Sequence, residues 1–512
     1  YDIAKRENVP IAKIGVLENT DKIKVVDSAG TMHVDLNLTD VLTNSRRKEY
    51  FLKRRETIFK ELEIPSYKEQ HCNFFDDLRN IFSLVSVGSK SFLTHKVDRS
   101  VGGLVAQQQC VGPLDIPLCD YGMMKHSFFS DLATITAIGE QPVKGIVDPT
   151  AMVGMAIGEM LTNIVWGVIE DIDYIKCSGN WMWPNKDPYE QCLLYDCVKE
   201  VSSIMRNIGI AIDGGKDSLS MSVNTEDDKT IKSPRNFVVT GYAEVPDYKL
   251  RVTPDIKNHD SILLYVNLSR NNFRLGGSAY AQTKNNLGNK YQQPRFEDQL
   301  RFVGAFRQIQ ALIAEGIILS GYDVSDGGII TAILEMCFAG NMGCFIDIET
   351  HVSLYEFMFS EELGMVIEVE KQHVKYVSDV LKEHSIVYNI GNVKKMDYIM
   401  ISYNNVDILK MPMTDLRGLW ENTSIRLMTK QFGEKYARKY RDKIMSFEHY
   451  GDDGFILDMN MVNLPPRRPP VAILRDEGTT GDREMAAAFY AAGFQPWDIT
   501  REEYENALKI ES

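Results

Sequence analysis

The sequence has 512 residues, which at about 150 residues per domain leaves room for roughly three or four domains. Its composition, 44% hydrophobic and 25% charged, is that of an ordinary globular protein and excludes collagen-like, disordered and disulfide-scaffold classes. The formal net charge of −14 implies a surface that repels polyanions, which argues against a nucleic-acid partner.

Compartment and membrane association can also be addressed from the sequence. The 8 cysteines form no C-x-x-C pair, which predicts reduced thiols and a cytoplasmic location. The sequence starts at Tyr1 with no leader pattern, so we expect no signal peptide and a chain that is a fragment. Residues 151–169 have about the length and apolarity of a membrane span, but Glu159 and Asn163 in their middle favour a buried helix.

The first predicted elements are short strands at 11–17, 22–27 and 31–35. The charged run 45–70 has two interpretations: a helix that packs along one side and ends near Pro65, or a solvated connector, and we favour the connector. From about residue 83 to 403, apolar strands and helices alternate with glycine clusters, which predicts an α/β or α+β fold.

Within and after that region the pattern predicts further elements and boundaries. We expect strands at 264–268, 316–320 and 345–348, helices at 296–314 and 328–339, a surface loop at 283–295 and a domain boundary at 252–260. The proline-rich run 464–470 predicts a second boundary that is extended and poorly packed. A buried strand at 471–474, a helix at 482–492 and a strand at 496–499 then predict the start of a βαβ unit.

The glycines do not form the standard phosphate motifs. No two are spaced G-x-G, and the run ending in Gly215-Lys216 lacks both the first glycine and the final Ser or Thr of a P-loop. Of five glycine clusters, the one at 323–331 is the most informative, because it lies between a predicted strand and a predicted helix start whose amides could face an anion. The alternative is a glycine turn capped by Ser325 or Asp326.

Oxygen-bearing side chains give the sharpest signal from spacing. Glu159 and Asn163 are four residues apart on an apolar helix, so they project from one face about 6 Å apart along the axis. Asp120, at the end of a strand-like run 116–120, and Asp323, ahead of the glycine turn, could complete an oxygen-only shell suited to Mg²⁺ and a polyphosphate. The alternative, that Glu159 pairs with a buried arginine or a backbone donor, has at least equal weight. The nine histidines show no metal spacing, and no Ser-His-Asp set can be assigned.

Nine runs of the sequence, in one order and spread over most of the chain, carry a family resemblance. They are DRSVGGLVAQQQCVGPLDIPLCDYG (98–122), GEMLTN (158–163), SGNWMWP (178–184), GGKDSLSM (214–221), LGGSA (275–279), SDGG (325–328), EMCFAGNMG (335–343), SEELG (360–364) and VAILRDEGTTGDREMAAAFYAAGF (471–494). The sequence resembles the large single-chain phosphoribosylformylglycinamidine synthases of purine biosynthesis. The resemblance implies an α+β or α/β fold in which an A/B half similar to aminoimidazole ribonucleotide synthetase is flanked by pieces of two other domains.

The resemblance also implies a domain organisation. The expected parts are the tail of a first-half C-terminal subdomain (1–36), a helical connector (37–82), the second-half N-terminal subdomain (83–252), the second-half C-terminal subdomain (253–420), a connector (421–469) and the start of a class I glutamine amidotransferase domain (470–512). We expect the partners to include the missing first half and the glutaminase of the same polypeptide, with no membrane.

The activity implied is that of an ATP-dependent carbon–nitrogen ligase with glutamine as amido-N donor. Formylglycinamide ribonucleotide, ATP and glutamine-derived ammonia are the expected substrates, and ATP or ADP with Mg²⁺ the expected cofactors. The resemblance places these in an auxiliary nucleotide site thought to be structural. An alternative is a non-catalytic, nucleotide-binding structural module.

Individual residues follow from matching the family's motifs. The match places metal ligands at Asp120, Glu159, Asn163 and Asp323, nucleotide contacts at Lys90, Cys119 (through its backbone) and Ser325, and a possible active-site wall at Asn180, Gly215, Lys216 and Ser218 on a loop. The family's catalytic histidine motif, E-T-H-N-H-P-like, is absent, and its C-N-G-like nucleophile elbow would lie beyond Ser512. We therefore expect no catalytic residue in this chain and no activity from it alone.

Overall fold

The computed structural model describes residues 1–42, 49–55, 57–227, 229–447 and 467–511, with side chains to residue 507. The chain divides into two compact units, one formed by 1–52 with 455–512 and the other by 53–454. The strands are β1 Lys22–Val26, β2 Met32–Asn37, β3 Val105–Gln107, β4 Tyr121–Lys125, β5 Ala133–Gly139, β6 Lys176–Met182, β7 Ala211–Ser218, β8 Ser222–Asn224, β9 Thr230–Lys232, β10 Asn236–Val245, β11 Ile262–Asn267, β12 Ile318–Asp323, β13 Gly343–Ile348, β14 Gly364–Val369, β15 Ile386–Lys394, β16 Ile399–Tyr403, β17 Val406–Met411, β18 Pro470–Arg475 and β19 Gln495–Thr500.

The helices lie mostly between these strands, as an alternating pattern requires. They are α1 Asp2–Arg6, α2 Leu38–Leu42, α3 Tyr67–Phe82, α4 Ser91–Thr94, α5 Lys144–Val147, α6 Pro149–Ile164, α7 Pro188–Ile208, α8 Ala279–Thr283, α9 Gln299–Ala314, α10 Gly328–Gly340, α11 Leu354–Phe359, α12 Val374–Leu381, α13 Met413–Phe432, α14 Glu434–Ile444, α15 Asp482–Ala491 and α16 Arg501–Glu511. Within the described residues, no helix is both long and apolar enough to cross a membrane.

The 53–454 unit contains a six-stranded sheet in the order β3-β4-β5-β10-β6-β7. Its pairs are antiparallel except β6 with β7, which are parallel and joined through α7. Helix α6 packs on β5 and β10. Pro149 occupies the first turn of α6, and Asp148 caps it by accepting hydrogen bonds from the amides of Thr150 and Ala151. Because nearly every position of α6 is buried, its apolarity reflects a central core helix rather than a membrane span.

The same unit contains a seven-stranded sheet in the order β12-β14-β11-β15-β13-β16-β17. Two hydrophobic clusters occupy its two faces, one with α9 and α12 and the other with α3, α10, α11 and α13. Strand β14 is buried at every position, which explains why its sequence, apart from Glu368, is apolar without alternation. The mixed α/β fold predicted from the sequence is confirmed.

The other unit is smaller and is described by itself. Strands β1 and β2 form an antiparallel hairpin, and β18 and β19 pair in parallel with α15 between them. Arg475 on β18 contacts Asp498 on β19 at 2.7 Å and Glu7 at 3.0 Å.

Several predicted elements differ from the structure. Residues 11–17 form no strand, since they are exposed and no described segment pairs with their amides. For the run 45–70 the favoured connector agrees with the described residues 49–55 and 57–66, which form no helix, so the alternative of a helix is wrong there. The helix begins after Ser66, where Ser66 and Glu69 form a capping box. Residues 116–120 form only an isolated bridge at Ile116, because Pro117 has no amide to donate.

Three further predictions need comment. Strand β18 forms as predicted but is mostly exposed, with Ile473 as its buried apolar residue, because among the described strands it pairs only with β19. The run from Gly215 to Ser218 is not a loop but the end of strand β7, which is held by pairing with β6. Of the predicted extended stretch 464–470, residues 464–466 lie outside the described residues.

Candidate functional site

A cavity of about 230 Å³ lies where α6, the end of β12 and the start of α10 meet. Five carboxyl groups line it, together with the ammonium of Lys90: those of Asp120, Glu159, Asp323, Asp326 and Glu335. The volume is below the roughly 300–1,000 Å³ of a typical small-molecule pocket, so it suits the phosphate and metal part of a nucleotide rather than the whole molecule.

Helix α6 brings Glu159 and Asn163 to this cavity from one face, as their spacing predicts. Glu159 Oε2 accepts a hydrogen bond from the Glu140 amide at 2.7 Å, and its Oε1 accepts one from the Ser325 hydroxyl at 2.8 Å. Asn163 Nδ2 donates to the Ile138 carbonyl at 2.9 Å. Its Oδ1 is buried and has no hydrogen-bond partner among the described residues, so it can accept a hydrogen bond from a bound group or ligate a metal.

Asp120 and Asp323 reach the cavity from two different chain segments. Asp323 is the last residue of β12 and is 5% exposed. Asp120 precedes β4, and its Oδ2 is likewise buried, with no hydrogen-bond partner in the part of the chain that the structure describes. Buried polar atoms are usually satisfied, and these two oxygens, one on Asp120 and one on Asn163, belong to residues that line the same cavity, so together they point to a ligand there.

Burial and mutual repulsion dominate the electrostatics of the cavity. Burial, together with the charges of neighbouring carboxylates, raises the pKa of Glu159 to about 8 and that of Asp323 to about 8. The same causes raise the pKa of Asp120 well above its usual range. The ionised forms are therefore unfavourable unless a cation enters.

The predicted nucleotide contacts fall into two groups. Lys90 and Ser325 line the cavity. Lys90 Nζ donates to the carbonyls of Ser86 at 3.0 Å and Gly88 at 2.5 Å, and burial lowers its pKa. Cys119 does not line the cavity, and its amide already donates to the Gln109 carbonyl at 3.1 Å.

The glycine turn is not capped by Ser325 or Asp326, which was the alternative to an anion site. The N-cap of α10 is Gly327, at φ 91°, with no side-chain hydrogen bond. The Ser325 hydroxyl is directed at Glu159 instead. Ser325 therefore faces the cavity and does not cap the N-terminus of α10.

Two residues of this cavity were missed by reasoning from the sequence. Glu335, on α10, is 7% exposed, and burial raises its pKa to about 8. Trp420 Nε1 donates to Glu335 Oε1 at 2.9 Å and to the Val87 carbonyl at 3.0 Å. The only available signal was a lone acidic residue on an otherwise apolar helix.

The residues predicted to form an active-site wall lie elsewhere in the same unit. Asn180 on β6 is in register with Lys216 on the edge strand β7, and Lys216 Nζ donates to the Ser218 hydroxyl at 3.2 Å. A Cβ at Gly215 would lie 2.0 Å from the Gly179 carbonyl oxygen, so only glycine fits there. None of these residues lines the cavity described above.

The donor set of the cavity fits a hard divalent cation. Asp120, Glu159, Asn163 and Asp323 offer only oxygen, which favours Mg²⁺ over zinc. Within the described residues, however, no three His, Cys, Asp or Glu side chains already converge closely enough to hold a metal ion. The four predicted ligands thus share a cavity rather than a preformed coordination shell.

A larger cavity of about 940 Å³ lies beside the segment 54–59 and the starts of α6 and α7. Its arginines are already neutralised by carboxylates: Arg54 by Asp196, Arg55 by Asp187, Arg235 by Glu190 and Arg295 by Asp148. Because these cations have partners and the smaller cavity has unpartnered oxygens, the smaller cavity is the stronger candidate for a ligand site.

Comparison with known proteins agrees with the resemblance. Family models match three segments: the FGAR-AT PurM N-like domain at 89–244, the C-terminal domain of AIR synthase related proteins at 261–402, and the CobB/CobQ-like glutamine amidotransferase domain at 468–511. The probable phosphoribosylformylglycinamidine synthase of Arabidopsis thaliana is 39% identical over 97% of this chain, and the human phosphoribosylformylglycinamidine synthase is 37% identical over 98%. The chain belongs to the phosphoribosylformylglycinamidine synthase family.

The matches extend over nearly all of this chain but over a minor part of each relative. The chain spans 36% and 39% of the length of those two synthases. The name of the Arabidopsis synthase includes "chloroplastic/mitochondrial", so a cytoplasmic location stays a prediction for this chain. T. maritima PurL, solved in complex with FGAR, matches with a TM-score of 0.51 at 12% identity, over 66% of this chain and 52% of its own. At that identity the likeness is one of fold.

Proposed function

We propose that the cavity between α6 and the glycine turn binds a nucleotide through Mg²⁺, as the auxiliary site of a phosphoribosylformylglycinamidine synthase. The observation that carries the proposal is the pair of buried, unpartnered oxygens, on Asp120 and Asn163, in a cavity that five carboxyl groups line. A ligand in this cavity would satisfy both oxygens.

Charge explains why a metal is needed. The carboxylates would repel a polyphosphate, and burial raises the pKa of Glu159 and of Asp323. A divalent cation held by Asp120, Glu159, Asn163 and Asp323 would offset the negative charge of the carboxylates and of the phosphates. Lys90 and Ser325 line the cavity, which supports a role for both in contacting the phosphate oxygens.

At the level of the whole enzyme, we propose that this chain contributes to the ATP- and glutamine-dependent conversion of formylglycinamide ribonucleotide to its amidine. In that reaction ATP phosphorylates the amide oxygen and ammonia then displaces the phosphate. Family membership supports the assignment. We further propose that the chain by itself does not turn over, since it spans well under half of the length of those relatives.

The nucleotide proposal is tested by titrating the chain with ADP in the presence and absence of Mg²⁺ in a calorimeter. We expect saturable binding of one ADP per chain that requires Mg²⁺. Equal binding with EDTA would contradict the metal role, and no binding in either condition would contradict the site.

A second candidate function is a structural module that binds nucleotide without contributing to catalysis. This candidate is favoured by the position of Asn180 and Lys216, which pair with each other on β6 and β7 and do not line the cavity. The two candidates can be distinguished by replacing Lys216 or Ser218 in a catalytic complex that includes this chain. A loss of activity would favour a contribution to catalysis, and unchanged activity would favour the structural module.

A further inference from the structure

The SEELG run, which the site does not use directly, holds the glycine turn in place. Glu361 Oε1 accepts hydrogen bonds from the Gly327 amide at 2.8 Å and the Ala279 amide at 2.7 Å. Its Oε2 accepts one from Lys144 Nζ at 2.7 Å. Glu361 and Lys144 are each 1% exposed. One carboxylate thus joins a lysine, the start of α8 and the turn that precedes α10.

The bond between Lys144 and Glu361 crosses between two domains. Lys144 lies in the segment matched by the PurM N-like model, while Glu361 and Gly327 lie in the segment matched by the AIR synthase C-terminal model. The turn is therefore tied to the N-terminal part twice, once through Lys144 and once through the hydrogen bond from Ser325 to Glu159.

The turn needs such an anchor. Gly327 and Gly328 have φ of 91° and 76°, in the left-handed region. The Gly328 amide donates to the Ser325 carbonyl at 3.0 Å, which closes the turn. A Cβ at Gly328 would lie 2.6 Å from the Met358 carbonyl oxygen, so the turn packs directly on the segment that leads into Glu361.

Stability alone does not explain a fully buried ion pair. Replacing such a pair with apolar residues of similar size is often neutral or stabilising. An apolar pair could not accept the hydrogen bonds that the amides of Gly327 and Ala279 donate. The carboxylate oxygen of Glu361 therefore supplies an acceptor that an apolar replacement would lack.

We propose that Glu361 is a positioning residue for the nucleotide cavity: through the hydrogen bonds that its side-chain oxygen accepts, it holds the Ser325–Gly328 turn so that Ser325 and Asp323 face the bound group. This inference rests on the proposed function of the cavity. It predicts that affinity for the Mg-nucleotide depends on an acceptor oxygen at position 361 and not on the ion pair itself.

Two double variants separate the oxygen from the charge. Lys144→Met with Glu361→Gln removes the ion pair but keeps a side-chain oxygen that can accept hydrogen bonds from both amides. Lys144→Met with Glu361→Met removes the ion pair and the oxygen. In both, methionine replaces the lysine stem with similar volume.

The measurement is the dissociation constant of ADP with Mg²⁺, determined by calorimetry on each folded variant. We expect the Gln variant to bind within about threefold of the unaltered chain and the Met variant to bind at least about tenfold more weakly, since two buried amides lose their acceptor. Equal affinities in the two variants, whether both retained or both lost, would overturn the proposal. Failure of the unaltered chain to bind ADP with Mg²⁺ would instead overturn the proposed function.

A measurement on the unaltered chain does not depend on how the variants fold. Hydrogen exchange can be followed in peptides covering 323–331 and 358–363 with and without ADP and Mg²⁺. We expect the nucleotide to slow exchange in both peptides, because the second anchors the first. Protection confined to 323–331 would contradict the anchoring role of Glu361.

Discussion

The Ser325 hydroxyl donates a hydrogen bond to Glu159 Oε1 across 2.8 Å. Glu159 lies on α6 and Ser325 on the turn before α10, so this bond joins the N-terminal and C-terminal parts of the unit at the cavity. A cation bound to Glu159 would therefore also affect the position of Ser325 and of the turn.

Replacing Glu159 with alanine should abolish stabilisation by the Mg-nucleotide. A ligand present at 100 times its dissociation constant stabilises a protein by about 2.7 kcal/mol, and that increment should disappear. Thermal unfolding with and without ADP and Mg²⁺ measures it, with the exposed Glu170→Ala as the matched control. If Glu159→Ala keeps the same ligand-dependent shift in Tm as the control, the assignment of the auxiliary site is wrong.

The two aspartates around the glycine turn should differ in their effect on the metal. Asp323 is buried at the end of β12, whereas Asp326 is less buried and lies within the turn. We expect Asp323→Asn to weaken Mg²⁺ binding about tenfold or more and Asp326→Asn to weaken it less. Titration of each variant with Mg²⁺ in the presence of saturating ADP gives the comparison. Equal losses would mean that the wrong aspartate has been assigned as the ligand.

The raised acid pKa values predict how stability depends on pH. Glu159 and Asp323 have a pKa of about 8 in the folded chain, against about 4 when unfolded. The folded state then holds more protons between these values, so the metal-free chain should lose stability as pH rises from about 5 to 8. Urea unfolding at several pH values measures the slope.

The control for that slope is the double variant Glu159→Gln with Asp323→Asn, which cannot ionise at these positions. Its slope between pH 5 and 8 should be flatter than that of the unaltered chain. For the unaltered chain, stabilisation by ADP and Mg²⁺ should grow with pH, because the cation binds the ionised carboxylates. Identical slopes in the two proteins would contradict the raised pKa values.

Two adjacent glycines on β7 provide a test of how β7 pairs with β6 near Asn180. Gly215 has a φ of 156° and no room for a Cβ, whereas a Cβ at Gly214 would meet nothing within 4 Å. Gly215→Ala should destabilise the chain by about 2 kcal/mol or more, and Gly214→Ala by about 0.5 kcal/mol or less. Urea unfolding of both variants would refute the β6–β7 register if the two losses were equal.

An activity assay addresses the proposal that this chain does not turn over alone. With formylglycinamide ribonucleotide, ATP, Mg²⁺ and ammonium chloride supplied, we expect no amidine above background. The same preparation should bind ADP with Mg²⁺, which serves as the control for folding. Measurable amidine would show that the catalytic groups lie within these 512 residues.

Local spacing was enough to predict much of the cavity from the sequence. Four residues separate Glu159 from Asn163, and the helical repeat alone puts them on one face. Asp323 before a glycine turn and a helix was recognisable because strand end, turn and helix start are contiguous. The collinear motifs identified the family because they depend on order and not on packing.

What only the tertiary structure decided involves residues far apart in the chain. Trp420 meets Glu335 because α13 packs against α10, and Glu361 meets Lys144 because two domains close on each other. No repeat or spacing encodes such contacts, since they form only when elements separated by many residues bury their apolar faces together. The same reason explains the missing strand at 11–17: a strand needs a partner as well as a suitable sequence.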